Sequence, residues 1–123
     1  MKKILIIEDE PSYIKLLHRE LTLTRYEILQ ATDGKHGLEM AKKHHPDLIL
    51  LDVMMPVMNG IVVLEELRKD DYGKTAKVIL LTNFEPDDHT VKNMLKNHPV
   101  FYLIKSNIEL ADLLKKIKSV LGE

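Results

Sequence analysis

Cysteine is absent from this 123-residue chain, which excludes disulfides and thiolate-ligated metal sites and fits a reducing interior. An excess of either charge is missing as well. Eighteen Lys and Arg against nineteen Asp and Glu leave a formal net charge of -1, so nothing in the charge balance calls for direct contact with nucleic acid or a membrane surface. Long apolar runs are also lacking. After Lys2-Lys3, only Ile4-Leu5-Ile6-Ile7 precede Glu8, fewer than a signal peptide requires and far short of the about 20 residues of a membrane span. The expectation is a cytoplasmic protein of one domain, residues 1–123, with no effector domain following.

What the chain does contain is four short aliphatic runs, each stopping on a polar group. Ile4-Leu5-Ile6-Ile7 meets Glu8-Asp9, Leu48-Ile49-Leu50-Leu51 meets Asp52, Val78-Ile79-Leu80-Leu81 meets Thr82, and Val100-Phe101-Tyr102-Leu103-Ile104 meets Lys105. Unbroken runs of this length read as strands buried on both faces, the habit of a parallel sheet covered by helices on each side. Segments with helical spacing separate them. The reading is β1 (3–8), α1 (11–24), β2 (27–31), α2 (34–44), β3 (47–52), α3 (60–69), β4 (77–82), α4 (86–97), β5 (100–104) and α5 (107–121). Strict strand-helix alternation implies right-handed crossovers and an α/β fold with a parallel sheet. Punctuation agrees: Pro11 suits a first helical turn, Asp33-Gly34 and Asn59-Gly60 are turn pairs, and Pro46 stops α2. Tyr13, Ile14, Leu16, Leu17 and Leu21 are more than one narrow stripe of α1 can hold. One or two of them should face outward, Leu16 first among them.

Strands that run the same way end on one edge, and ligands of open α/β sheets bind beyond the carboxyl ends of the strands. Glu8, Asp9, Asp52, Thr82 and Lys105 should therefore meet in one crevice. Like charges about 4 Å apart repel by on the order of 4 kcal/mol at an effective dielectric of 20, so three carboxylates there need compensation. Lys105 supplies one charge, and a hard divalent cation with oxygen ligands supplies more; Mg²⁺ characteristically takes one or two carboxylates, waters and phosphate oxygens. A carboxylate can also attack phosphorus to form an acyl phosphate when cation and donors hold the equatorial oxygens. Asp52 is the expected nucleophile, and Thr82 a hydroxyl that engages only the phosphorylated state.

These residues resemble the receiver domains of two-component response regulators. The resemblance rests on Glu8-Asp9 followed by Glu10-Pro11, on Leu51-Asp52-Val53-Met54-Met55-Pro56 with Gly60 eight residues after the aspartate, and on Thr82 and Lys105. It implies a flavodoxin-like doubly wound (βα)5 fold with a five-stranded parallel sheet of order 2-1-3-4-5, an order carried over from the family. It further implies that Asp52 is the phosphoacceptor, served by a sensor histidine kinase or a histidine phosphotransfer protein. Mg²⁺ would be held by Asp9 and Asp52 directly, by Glu8 through water and by the Met54 backbone carbonyl. Lys105 would pair with the phosphoryl group, and Thr82 and Tyr102 would switch together. The read-out would be a downstream protein partner on the α4-β5-α5 face, the chain being a monomer with a phosphorylation-dependent dimer in prospect. Such a protein catalyses only its own aspartyl phosphorylation and dephosphorylation, with no metabolic substrate.

The chain departs from the family pattern at Ser106, where proline usually follows the lysine, at Asn83, where a small residue is common, at His98-Pro99 before β5, and at Glu8, where Asp is frequent. These departures keep open a phosphate-independent interaction module on the same fold. A flavin-binding reading lacks a phosphate-cradling loop after β1. An aspartyl-phosphatase reading lacks a second acid near Asp52, since the residue two beyond it is Met54.

Overall fold

The computed structural model describes residues 1–122; the last residue of the expected domain, Glu123, lies outside them. The alternation read from the sequence is the one that forms: β1 Lys3–Ile7, α1 Pro11–Thr22, β2 Glu27–Ala31, α2 Gly34–His44, β3 Leu48–Asp52, α3 Gly60–Leu67, β4 Val78–Thr82, α4 Asp88–Leu95, β5 Phe101–Ile104 and α5 Leu110–Val120, with a 3-10 turn at Lys105–Asn107. All strand pairs are parallel and the sheet order is β2-β1-β3-β4-β5, a flavodoxin-like fold.

Alternation along the strands divides the core in two. Leu5, Ile7, Ile49, Leu51, Val78 and Leu80 face α2 and α3, meeting Leu38, Val63, Leu64 and Leu67, with Met94 of α4 closing that layer. Ile4, Ile6, Leu48, Leu50, Ile79 and Leu81 face the other way, onto Leu17 and Leu21 of α1 and Leu113 and Ile117 of α5. Every residue of β3 and β4 is buried, which is why both read as unbroken aliphatic runs. In α1, Ile14, Leu17 and Leu21 are buried while Leu16 is half-exposed beside Ser12, Lys15 and Arg19, as its surplus of apolar residues required.

Local capping sets the helix starts, at Gly34 and Gly60 as read and at Asp88 later than read. Asp33 and Asn59 are N-caps, accepting bonds from His36 N–H (2.8 Å) and Val62 N–H (3.1 Å). Asp87 does the same for Thr90 N–H at 2.8 Å, so α4 starts at Asp88, two residues later than expected. The α5 segment loses its first turn because Lys105–Asn107 winds as a 3-10 turn before the helix starts at Leu110. The Lys105–Ser106 peptide is trans.

Three connections carry left-handed residues other than glycine, the first being His45 (φ 48°) at the end of α2. His98 (φ 55°) reverses the chain between α4 and β5, where its N–H donates to Leu95 O and its carbonyl accepts from Arg68. Val57 (φ 71°) lies in the loop after β3 and is 78% exposed. A β-branched residue in this region is strained, and its exposure means that little packing holds it there. Val57→Asn is expected to raise stability by about 1 kcal/mol in urea unfolding, because Asn tolerates the left-handed region. A loss of stability would show that the Val57 methyls make a contribution that outweighs the strain.

Candidate functional site

Parallel pairing brings the ends of β1, β3 and β4 to one edge of the sheet, and Glu8, Asp52 and Thr82 arrive there without any loop having to fold back. Glu8, Asp52 and Thr82 are all buried to within 2% of full burial. Glu8 is held by its own loop, its Oε2 accepting from the N–H groups of Asp9 (3.0 Å) and Glu10 (3.3 Å). Asp52 Oδ1 accepts from Met54 N–H at 3.3 Å, and Thr82 Oγ1 accepts from Phe84 N–H at 3.4 Å. Asp9 is exposed at the rim, and so is Met54.

Gly60 explains how the loop after β3 stays close to Asp52. Its N–H bonds to Val53 O at 2.9 Å, and a Cβ there would overlap the Asp52 carbonyl oxygen, so any other residue would push α3 away from the strand end.

Lys105 enters from the end of β5, and its side chain is almost completely buried. The ammonium contacts Glu8 Oε1, lies 3.8 Å from Asp52 Oδ2 and 3.9 Å from Glu10 Oε2, and sits 4.3 Å from the centroid of the Tyr13 ring. One ammonium thus faces three carboxyl groups, with Asp9 as a fourth beside them. Burial, then the neighbouring Glu8 carboxyl, push the Asp52 carboxyl up to about 7, against the pull of Lys105 and of the Met54 N–H. The cluster is short of positive charge.

Glu8, Asp9 and Asp52 each offer a carboxylate oxygen, and these lie within 4.8 Å of one another. Hard oxygen donors, surplus negative charge and an open rim fit a small divalent cation and do not fit a soft metal. Glu8, Asp9, Asp52 and Lys105 come together as expected from the sequence, Thr82 ends the neighbouring strand β4, and Tyr102 lies apart. Tyr102 lies on β5, half-buried against the core layer that holds Leu80 and Met94. Asn83, the first residue after β4, is exposed. Sequence reasoning missed Tyr13, whose ring carries no motif signal, and Arg68, whose role depends on carbonyls brought in from two loops.

Comparison with known proteins places this arrangement in a class. The chain belongs to the response regulator receiver domain family, whose sequence profile matches residues 4–118. Over 81 residues it is 40% identical to the probable transcriptional regulator ycf27 of Porphyridium aerugineum, covering 66% of this chain and 32% of that protein. Over 68 residues it is 44% identical to the alkaline phosphatase synthesis transcriptional regulatory protein PhoP of Bacillus subtilis strain 168, covering 55% of this chain and 28% of that one. The chain therefore spans about a third of the length of the curated relatives it matches.

Among solved structures, a CheY-like receiver domain protein from Methanospirillum hungatei JF-1 superposes with a TM-score of 0.89 at 28% identity, over 99% of this chain and 94% of that one. The receiver domain of a sensor histidine kinase from Pseudomonas aeruginosa PAO1, which has a magnesium ion coordinated in its active-site cleft, gives 0.87 at 25% identity over 99% and 98%. Family membership implies phosphoacceptor signalling in a two-component system, not metabolic catalysis. No helix among the described residues is long and apolar enough to cross a membrane.

Proposed function

We propose that this chain is a phosphoacceptor switch in which Asp52 receives a phosphoryl group from a phosphohistidine of a sensor kinase or phosphotransfer protein. The observation that carries the reading is the buried Asp52 carboxylate at the end of β3, beside Glu8 after β1 and 3.8 Å from the Lys105 ammonium after β5. The ion would be Mg²⁺, held by Asp9 and Asp52, by Glu8 through water and by the Met54 carbonyl; when bound, it neutralises charge on the carboxylates and on the phosphoryl oxygens.

Asp52 forms an O–P bond as the donor's N–P bond breaks, and the imidazole nitrogen keeps the electron pair. Transfer of this kind leaves the protein to supply positioning and charge. Lys105 is 3.8 Å from Asp52, so a modest swing away from Glu8 carries its ammonium to a phosphoryl oxygen. Thr82, buried one strand away, turns its hydroxyl toward the same group. Tyr102 then follows into the space near Thr82, which alters the α4-β5-α5 face read by a downstream protein. The light anchoring of α4 supports this: Met94 is its single buried residue.

Incubation with acetyl phosphate, with and without Mg²⁺, followed by intact-mass measurement tests the reading. A single phosphoryl adduct that needs both Mg²⁺ and Asp52 is the expected result. A folded protein that binds Mg²⁺ yet takes no adduct would point instead to a phosphate-independent interaction module.

A further inference from the structure

Lys105 is a flexible side chain on a four-carbon stem, and the acids around it do not hold it evenly: Glu8 makes the short contact while Asp52 and Glu10 stand 3.8 and 3.9 Å away. Something else must define where the ammonium stops. Tyr13, in the first turn of α1, occupies the remaining side. Its ring centroid is 4.3 Å from Lys105 Nζ, and the residue packs against the core layer beneath α1 and α5. The placement follows from the start of the helix. Pro11 begins α1 directly after the acidic loop, and Tyr13 N–H bonds to Glu10 O at 3.1 Å, which fixes the Tyr13 backbone beside the crevice while Ile14 and Leu17 turn into the core.

An aromatic face attracts a desolvated ammonium, whereas an aliphatic side chain of the same bulk offers only contact. The phenol is neutral at physiological pH, as any tyrosine is, and burial and the nearby Glu8 carboxyl raise it further, so the ring offers its π face and no competing negative charge. Tyr13 can therefore steady Lys105 without capturing it. A carboxylate at the same point would hold the ammonium back from the phosphoryl group; the ring lets it slide between Glu8 and Asp52.

We infer that Tyr13 is a positioning residue for the phosphoryl-transfer site: its ring face supports the Lys105 ammonium beside Glu8 and within reach of Asp52, so that only a short swing is needed when the phosphoryl group arrives. The inference rests on the phosphoacceptor reading of Asp52 and Lys105.

Two measurements test it. The first starts from the wild-type protein: the Lys105 Hε protons should show an upfield ring-current shift in NMR, which persists in Tyr13→Phe and disappears in Tyr13→Leu. The second uses beryllofluoride with Mg²⁺ as a phosphoryl mimic. Tyr13→Leu is expected to bind it about tenfold more weakly than wild type, a change of the size cation–π contacts support, and Tyr13→Phe to recover most of that loss. Absence of the wild-type shift would overturn the inference, as would wild-type affinity in Tyr13→Leu or equal losses in both variants. Should wild type itself fail to bind beryllofluoride, the phosphoacceptor reading falls and takes this inference with it; should wild type bind and Tyr13→Leu bind equally, only the role of Tyr13 falls. A Tyr13→Leu protein that does not fold leaves the wild-type shift and the Tyr13→Phe comparison to decide.

Discussion

Asp52→Asn is expected to abolish the phosphoryl adduct and, in the same protein, to raise magnesium-free stability at pH 8 by about 2 to 3 kcal/mol. The two effects share a cause. A carboxylate that serves as a nucleophile must be able to ionise, yet this one is buried beside Glu8 and is pushed up to about 7 from an ordinary carboxylate value. A folded-state value above the unfolded one means that the contribution of Asp52 to stability is fully present below about pH 4. It is lost as pH rises through 7, where the folded protein must carry the charge. Ionising a carboxyl so displaced costs the folded state at most roughly 4 kcal/mol, and because Glu8 and Asp52 titrate as one interacting pair only part of that ceiling is recovered by removing Asp52 alone.

Asparagine has nearly the same shape and can still accept from Met54 N–H, so it removes the charge and keeps the packing. Urea unfolding in a chelator at pH 8 and at pH 4 measures the difference directly. The gain should be present at pH 8 and vanish at pH 4. An Asp52→Asn protein no more stable than wild type at pH 8 would mean that Lys105 already neutralises the cluster.

Arg68→Met is expected to cost about 3 kcal/mol, although Arg68 is far from the acidic crevice. Its guanidinium donates to four carbonyls: Nε to Asn97 O (2.8 Å), Nη1 to Gly73 O and Ala76 O (both 2.7 Å), and Nη2 to His98 O (3.0 Å). The planar fork therefore joins the end of α3 to the loop before β4 and to the turn between α4 and β5. Methionine keeps the alkyl stem and removes every donor, leaving half-buried carbonyls with at best water for a partner. The bonds do not sum fully, because His98 is exposed and rehydrates.

The consequence should be local as well as global. His98 holds its left-handed turn with one carbonyl on Arg68, so amide exchange around residues 98–101 should accelerate in the variant. Arg68→Lys should rescue little, since a single ammonium cannot span four carbonyls as the fork does. A loss below about 1 kcal/mol for Arg68→Met would show that solvent replaces the network at little cost.

Much of this molecule was legible in one dimension because its strands are buried on both faces. The runs 48–51 and 78–81 can be read as strands since no residue in them meets water, and their polar ends can be read as a site since parallel strands end together. Helix boundaries were unevenly legible: α2 and α3 start at Gly34 and Gly60 as read, whereas Asp87 looks like a dipole residue until its carboxylate is seen to cap Thr90 N–H and delay the start of α4.

What composition and pattern determined by themselves is the α/β class, the alternation of elements and the gathering of Glu8, Asp9, Asp52, Thr82 and Lys105 at one edge. Those follow from local periodicity and from chain direction, which are properties of neighbours in sequence. Tertiary structure alone decided that Lys105 lies against Glu8 and the Tyr13 ring, with Asp52 at 3.8 Å, and that Arg68 ties together loops up to 30 residues away. Long charged side chains can reach many partners, and which of them they meet depends on the distances between elements, which no run of residues encodes.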